Sequence, residues 1–163
     1  MTWRVPALSA AVLLTLTFPA QAQVPPPAEP LNEENVAAWI EAHIDTDGWG
    51  LLAADTVAAS FGSADGVVLG PDGYRMAEIR REYYGGMRLG PNGTRSGRQT
   101  WIVDCPMRRV WVRRITIYAE NNLKGESRTR QAEQPNWTEV SAGSANEKLM
   151  SAICAADIRG VGL

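Results

Sequence analysis

The sequence predicts an α+β domain: an antiparallel sheet of about six strands, a C-terminal helix packed on it and a short amphipathic helix before it. Two observations carry this. Turn dipeptides recur at Asp47-Gly48, Asp65-Gly66, Asp72-Gly73 and Asn92-Gly93, separating short extended runs as in a series of hairpins. Helical periodicity is confined to the two ends of the domain.

The first helical pattern follows Asn32, a good cap, with Glu33 and Glu34 in its first turn and Val36, Trp39, Ile40, His43 and Ile44 on one face. Extended runs follow at 49–53, 56–61, 74–84, 99–105, 109–119 and 125–130. Leu69-Gly-Pro-Asp-Gly-Tyr-Arg75 and Leu89-Gly-Pro-Asn-Gly-Thr-Arg95 are near copies in which Pro sets the first turn position and the second Gly takes positive φ. In the fourth run Trp101, Val103 and Cys105 alternate onto the core side while Thr100 and Asp104 point away. The last helix starts at Ser144 with a capping box to Glu147, and Arg159 and Gly160 are expected to mark its end. Leu149, Met150, Ile153, Cys154 and Ile158 share its apolar face.

Ahead of the domain, Arg4, an apolar stretch from Val5 to Phe18 and Ala20-Gln-Ala22 read as a secretory signal peptide cleaved after Ala22. The stretch is shorter than the roughly 20 apolar residues of a membrane span, and with no Cys before Cys105 a lipid anchor is not expected. The expected organisation is a signal peptide over 1–22, an extended, mobile proline-rich leader over 23–31 and a single domain over 32–160, exported to the periplasm or the cell exterior. In that compartment the two cysteines, Cys105 and Cys154, are expected to form a disulfide; two thiols without nearby His are too few for a metal site.

Composition narrows the chemistry. The 163 residues contain one His, which leaves a Ser/His/Asp or Cys/His arrangement dependent on His43 alone. His43 lies on the apolar helix face and reads as a structural residue. The run from Asp45 to Gly50 begins like a calcium loop but lacks the closing Glu in either register. Glu78 and Glu82 share a strand face with Arg80 and read as a solvated, salt-bridged surface. No nucleophile, base and orienter can be named together, so no catalytic residue, cofactor or metal is expected. Nucleic acid is not an expected partner, because no recognition motif is present and the net charge is −2.

That near-neutral sum hides a segregation. Residues 23–74 hold nine acidic side chains and no Lys or Arg, whereas residues 75–163 hold 15 basic and nine acidic ones. Ten arginines fall between Arg75 and Arg114. Guanidinium forks suit carboxylate, sulfate and phosphate, so an acidic polysaccharide, glycoprotein or protein is one expected partner, with Arg95, Arg98, Arg108, Arg109, Arg113 and Arg114 as the expected contacts. The other reading is internal: the acidic segment lies against the arginines.

Ser96 to Cys105 (SGRQTWIVDC), the Arg-rich strand ending in Ile117-Tyr118, Lys124-Gly-Glu-Ser127, Trp137-Thr-Glu-Val140 and Ala142-Gly-Ser144 before a helix carrying Cys154 resemble the surface-adhesin protein E-like family, over about residues 47–158. Trp49 followed by Asp55-Thr-Val57 looks like that family's opening strands. The resemblance implies a six-stranded antiparallel sheet tied to a C-terminal helix by a Cys105–Cys154 disulfide, and a non-enzymatic binding domain. The chain departs from the family in having Ala142 where the ending usually reads Pro, and in lacking the lipidation Cys of the adhesin that names it. The alternative role is a periplasmic envelope-stress, assembly or inhibitor-type protein.

Overall fold

A computed structural model describes residues 23–70, 72–87 and 93–158. The signal-peptide reading of 1–22, Arg88 and the helix-end residues Arg159 and Gly160 lie outside the described residues. The element order is α1 (Glu33–His43), β1 (Trp49–Ala54), β2 (Ala58–Ser63), β3 (Val68–Leu69), β4 (Arg75–Met87), β5 (Thr94–Asp104), β6 (Arg109–Tyr118), β7 (Ser127–Gln131), β8 (Thr138–Glu139) and α2 (Ala145–Ala155). Six strands run β1-β2-β4-β5-β6-β7, every neighbour antiparallel, and the two-residue strands β3 and β8 pair with β4 and β6.

The sheet has a core on each face. On one, α2 packs Leu149, Met150 and Ile153 over Ala77, Ile79, Trp101, Val103 and Val110. On the other, α1 packs Val36 and Trp39 over Ala59, Phe61 and Tyr84. Central β5 is therefore buried on both sides: Thr100 and Asp104 point away from Trp101 and Val103, as their alternation predicts, yet both are buried. Gly62 makes room for a side chain of the neighbouring strand, since a Cβ there would come within 2.9 Å of the Leu52 side chain of β1.

Three devices hold α2 to the sheet. The first is the Cys105–Cys154 disulfide, with Cα atoms 5.9 Å apart. The second is Arg75, whose NH1 donates to the carbonyls of Ile153 (3.0 Å) and Ala156 (2.5 Å), closing the helix C-terminus with a cation that complements its dipole. This corrects the expected helix end: with its last carbonyls satisfied by Arg75, the chain leaves the helix at Ala156, which is extended, and Ile158 pairs with Val67 in a parallel bridge. The third is a capping box displaced by one residue. Ser144 Oγ accepts from Glu147 N, but Glu147 reaches back to Gly143 N (2.6 Å) and pairs with Arg108.

The leader is docked, correcting the expectation of mobility. Trp39 Nε1 donates to the Pro25 carbonyl (2.6 Å), Arg95 donates to the Val24 carbonyl and to Gln23 Oε1, and Pro27 is buried.

Two outcomes are expected. Replacing both cysteines by Ala reopens a 49-residue separation and lowers unfolding stability by about 4 kcal/mol in the loop-closure model; a urea midpoint unchanged from the oxidised protein would contradict this. The Gly143 N–H and the Arg108 charge hold the Glu147 carboxyl below its ordinary 4.5. A lowered acid contributes stability above its unfolded value and loses it as pH falls through the folded value. Glu147→Gln is thus less stable than wild type at pH 7, and thermal scans show the two converging once the pH drops well below 4.5.

Candidate functional site

The charged side chains divide into a buried network, a set of local pairs and an open strip. The network corrects the solvated reading for Arg80 and Glu82, while Glu78 on the same face is partly exposed and paired with Arg98. Arg80 and Glu82 stand two residues apart on the same face of β4, under α1, and are 4% and 0% exposed. Arg80 Nε donates to Glu82 Oε1 (2.7 Å), NH1 to the Asp45 carbonyl (2.6 Å) and NH2 to Asn122 Oδ1 (2.9 Å). Its guanidinium also lies 5.8 Å from the Trp49 ring and 5.7 Å from Phe61. Glu82 accepts further bonds from Asn121 Nδ2 and from the Asn122 backbone N–H.

Asn122 completes the network by acting as a strand partner with its side chain. Oδ1 accepts from Asp45 N (2.8 Å) while Nδ2 donates to the His43 carbonyl (3.0 Å), so the end of α1 is bonded to the β6–β7 connection. The geometry requires left-handed backbone at Asn122 (φ 63°) and Leu123 (φ 56°). His43 is half-buried and contributes this carbonyl. Asp45 Oδ1 accepts from Asp47 N and its carbonyl is held by Arg80, so the Asp45–Gly50 run acts as a helix-ending turn. Burial pushes the Glu82 carboxyl above its usual value, against the Arg80 charge and the Asn121 and Asn122 donors. Burial, aided by Asp55, likewise pushes Tyr84 up to about 12.

Of the six arginines expected to form a contact set, four have partners within the chain. Arg95 holds the leader. Arg98 pairs with Glu78 (2.8 Å), Arg108 with Glu147, and Arg109 with Asp104 (2.8 Å). Their carboxylates come from the basic half itself. Of the nine acids in 23–74, Asp55 alone pairs with that half among the described residues, through Arg81 at 3.1 Å. Arg113 and Arg114 remain exposed, without an ion-pair partner among the described residues. Arg113 is the extra residue of a β-bulge, since Thr100 pairs with Arg114 and Trp101 with Val112. Across β6, exposed Arg130 of β7 stands opposite Ile115 and Arg128 opposite Ile117. The Arg128–Glu126 pair is 56% exposed on both sides and worth little. Arg113, Arg114, Arg128 and Arg130 thus stand as a strip of charge around the β6–β7 edge, with Arg114 on one face of the sheet and Arg128 and Arg130 on the other.

A second feature was not foreseen. Beyond α1, the same sheet face carries Tyr74, Trp111 and Trp137, all half-buried. Trp137 meets Tyr74 edge-on at 5.0 Å and Trp111 at 6.3 Å. Arg109 lies 4.7 Å over the Trp137 ring while bonded to Asp104. Among the described residues no group of three His, Cys, Asp or Glu is placed to hold a metal ion, and no helix is long and apolar enough to cross a membrane.

The family model "Surface-adhesin protein E" matches residues 68–155, more than half of the chain and the part that runs from β3 to the end of α2. The chain belongs to the surface-adhesin protein E family. No curated protein matches it. Two crystal structures of protein E from Haemophilus influenzae share its fold: a second crystal form at 15% identity, covering 66% of this chain and 87% of that one with a TM-score of 0.53, and a selenomethionine form at 12% identity, covering 82% and 95% with a TM-score of 0.53. Surface-adhesin protein E is a family of adhesins and not of enzymes. In this member the matched region includes both cysteines, the Arg80–Glu82 pair and the strip, whereas α1 and the docked leader precede it.

Removing one member of the buried pair leaves the other charge unpaired out of water. Glu82→Leu is expected to lose about 3–5 kcal/mol, and Arg80→Met/Glu82→Leu is expected to recover part of that loss in urea titrations. A single variant within about 1 kcal/mol of wild type, the scale of an exposed pair, would refute the burial argument.

Proposed function

We propose that the protein is an exported, non-enzymatic binding domain of adhesin type that contacts an acidic macromolecule through the arginine strip at the β6–β7 edge. Export rests on the charged, apolar and Ala-x-Ala pattern of residues 1–22. The observation that carries the contact is the absence of any carboxylate partner for Arg113, Arg114 and Arg130 among the described residues, where Arg80, Arg81, Arg98, Arg108 and Arg109 each have one. Arginines already bonded to a neighbouring acid have little to gain from a ligand. Those held out in water around the β6–β7 edge, Arg114 on one face and Arg130 on the other, offer planar donors to sulfate or carboxylate on both sides of that edge. The strip therefore replaces the wider set of six as the proposed contact.

Heparin serves as the anionic probe. Its affinity for the mature protein is expected to fall steeply with added salt, and Arg113→Gln/Arg114→Gln/Arg130→Gln is expected to weaken it at least about tenfold, the loss of 1.4 kcal/mol or more. Arg98→Gln/Arg108→Gln, which removes two paired arginines, is expected to change it less than the triple variant does. Equal effects of the two variants in a salt-dependent binding assay would remove the strip's special role.

A further inference from the structure

We propose that the cluster of Tyr74, Trp111 and Trp137 on the open part of the α1-side face is a binding site for an uncharged pyranose unit of a glycan, separate from the arginine strip. The sheet register places the parts. Asp104 pairs with Arg109 and Ile102 with Trp111, and Arg109 pairs in turn with Glu139 of β8, two residues after Trp137. Partners in an antiparallel ladder share a face, so the aromatic rings and the Asp104, Arg109 and Glu139 side chains stand together. The α1 core ends at Trp49, Phe61 and Tyr84 and does not include them.

The chemistry of this surface is specific. The rings are half-buried and set edge to face, so they hold one another in place and keep part of their faces in contact with solvent. Arg109 is fixed twice, by its bond to Asp104 (Nε to Oδ2, 2.9 Å) and by lying over Trp137. Beside the rings there is thus one guanidinium, which only donates, and two carboxylates, which only accept. Their charges sum to −1, which disfavours an anionic ligand at this spot. A pyranose matches the arrangement: its C–H face lies against an aromatic ring, whose face is electron-rich, and its adjacent hydroxyls, each donor and acceptor, bridge carboxylate and guanidinium. A purely apolar ligand would cover Glu139 without offering it a donor, at a desolvation cost.

The test uses the folded, disulfide-bonded protein and a panel of methyl pyranosides of glucose, galactose, mannose and N-acetylglucosamine, read by saturation-transfer NMR and by tryptophan fluorescence. At least one sugar is expected to bind saturably. Trp137→Ala is expected to lower that affinity at least tenfold, and Trp137→Phe, which keeps a ring, to restore most of it. Arg113→Gln/Arg114→Gln/Arg130→Gln is expected to leave it within twofold, so that failure of the strip and failure of this site are told apart. The proposal is overturned if no sugar of the panel binds, if Trp137→Ala binds as tightly as wild type with an unchanged melting temperature, or if a proline-rich peptide quenches the fluorescence while every sugar leaves it unchanged.

Discussion

The buried contact between Arg80 and Glu82 constrains much of the rest of the molecule. Two charges beneath α1 are tolerable only if nearly every donor and acceptor on them is engaged, and the partners come from separate parts of the chain: the Asp45 carbonyl after α1, Asn121 and Asn122 between β6 and β7, and the rings of Trp49 and Phe61 on β1 and β2. The N-terminal helix, the first hairpin and the β6–β7 connection must therefore be assembled together before the pair is satisfied. The left-handed conformation of Asn122 and Leu123 is a local cost accepted to bring an amide and a backbone N–H into that ring of partners.

This constraint also explains how the two faces of the sheet divide. One face is closed by α2, which is tied down by a disulfide, an arginine cap and a displaced capping box. The other is closed by α1 over its own core cluster, and beyond it the half-buried rings of Tyr74, Trp111 and Trp137 stand on the same face. The two proposed contact surfaces lie at this aromatic cluster and at the adjoining edge. The internal pairs matter for that proposal, because they engage Arg80, Arg81, Arg98, Arg108 and Arg109 and leave Arg113, Arg114 and Arg130 without a carboxylate among the described residues.

Much of the architecture was readable from the chain. Alternation in Trp101, Val103 and Cys105 placed the core side of β5, Asn32 and Ser144 capped their helices as their side chains suggest, and the turn glycines Gly73 and Gly93 take positive φ. What could not be read depends on contacts between residues distant in sequence. Glu82 and Arg80 form a local pattern identical to that of a solvated pair, and the groups that enclose them, the Asp45 carbonyl, Trp49, Phe61, Asn121 and Asn122, lie about 20 to 40 residues away in the chain. Arg75 capping α2 spans 78 residues, so a helix stop that depends on it leaves no local signal. The two-residue strands β3 and β8 are too short for any periodicity, and without β8 the approach of Trp137 to Trp111 and Arg109 is invisible.

The bulge at Arg113 has a consequence for how this edge acquired its charge. Thr100 pairs with Arg114 and Trp101 with Val112, so a chain lacking residue 113 would join the same partners in an unbroken ladder and keep the same side chains on the same faces. Arg113 is thus an addition to β6 that the pairing does not need. Charge at this edge can therefore be added or removed at one position with no core residue exchanged and the scaffold unchanged.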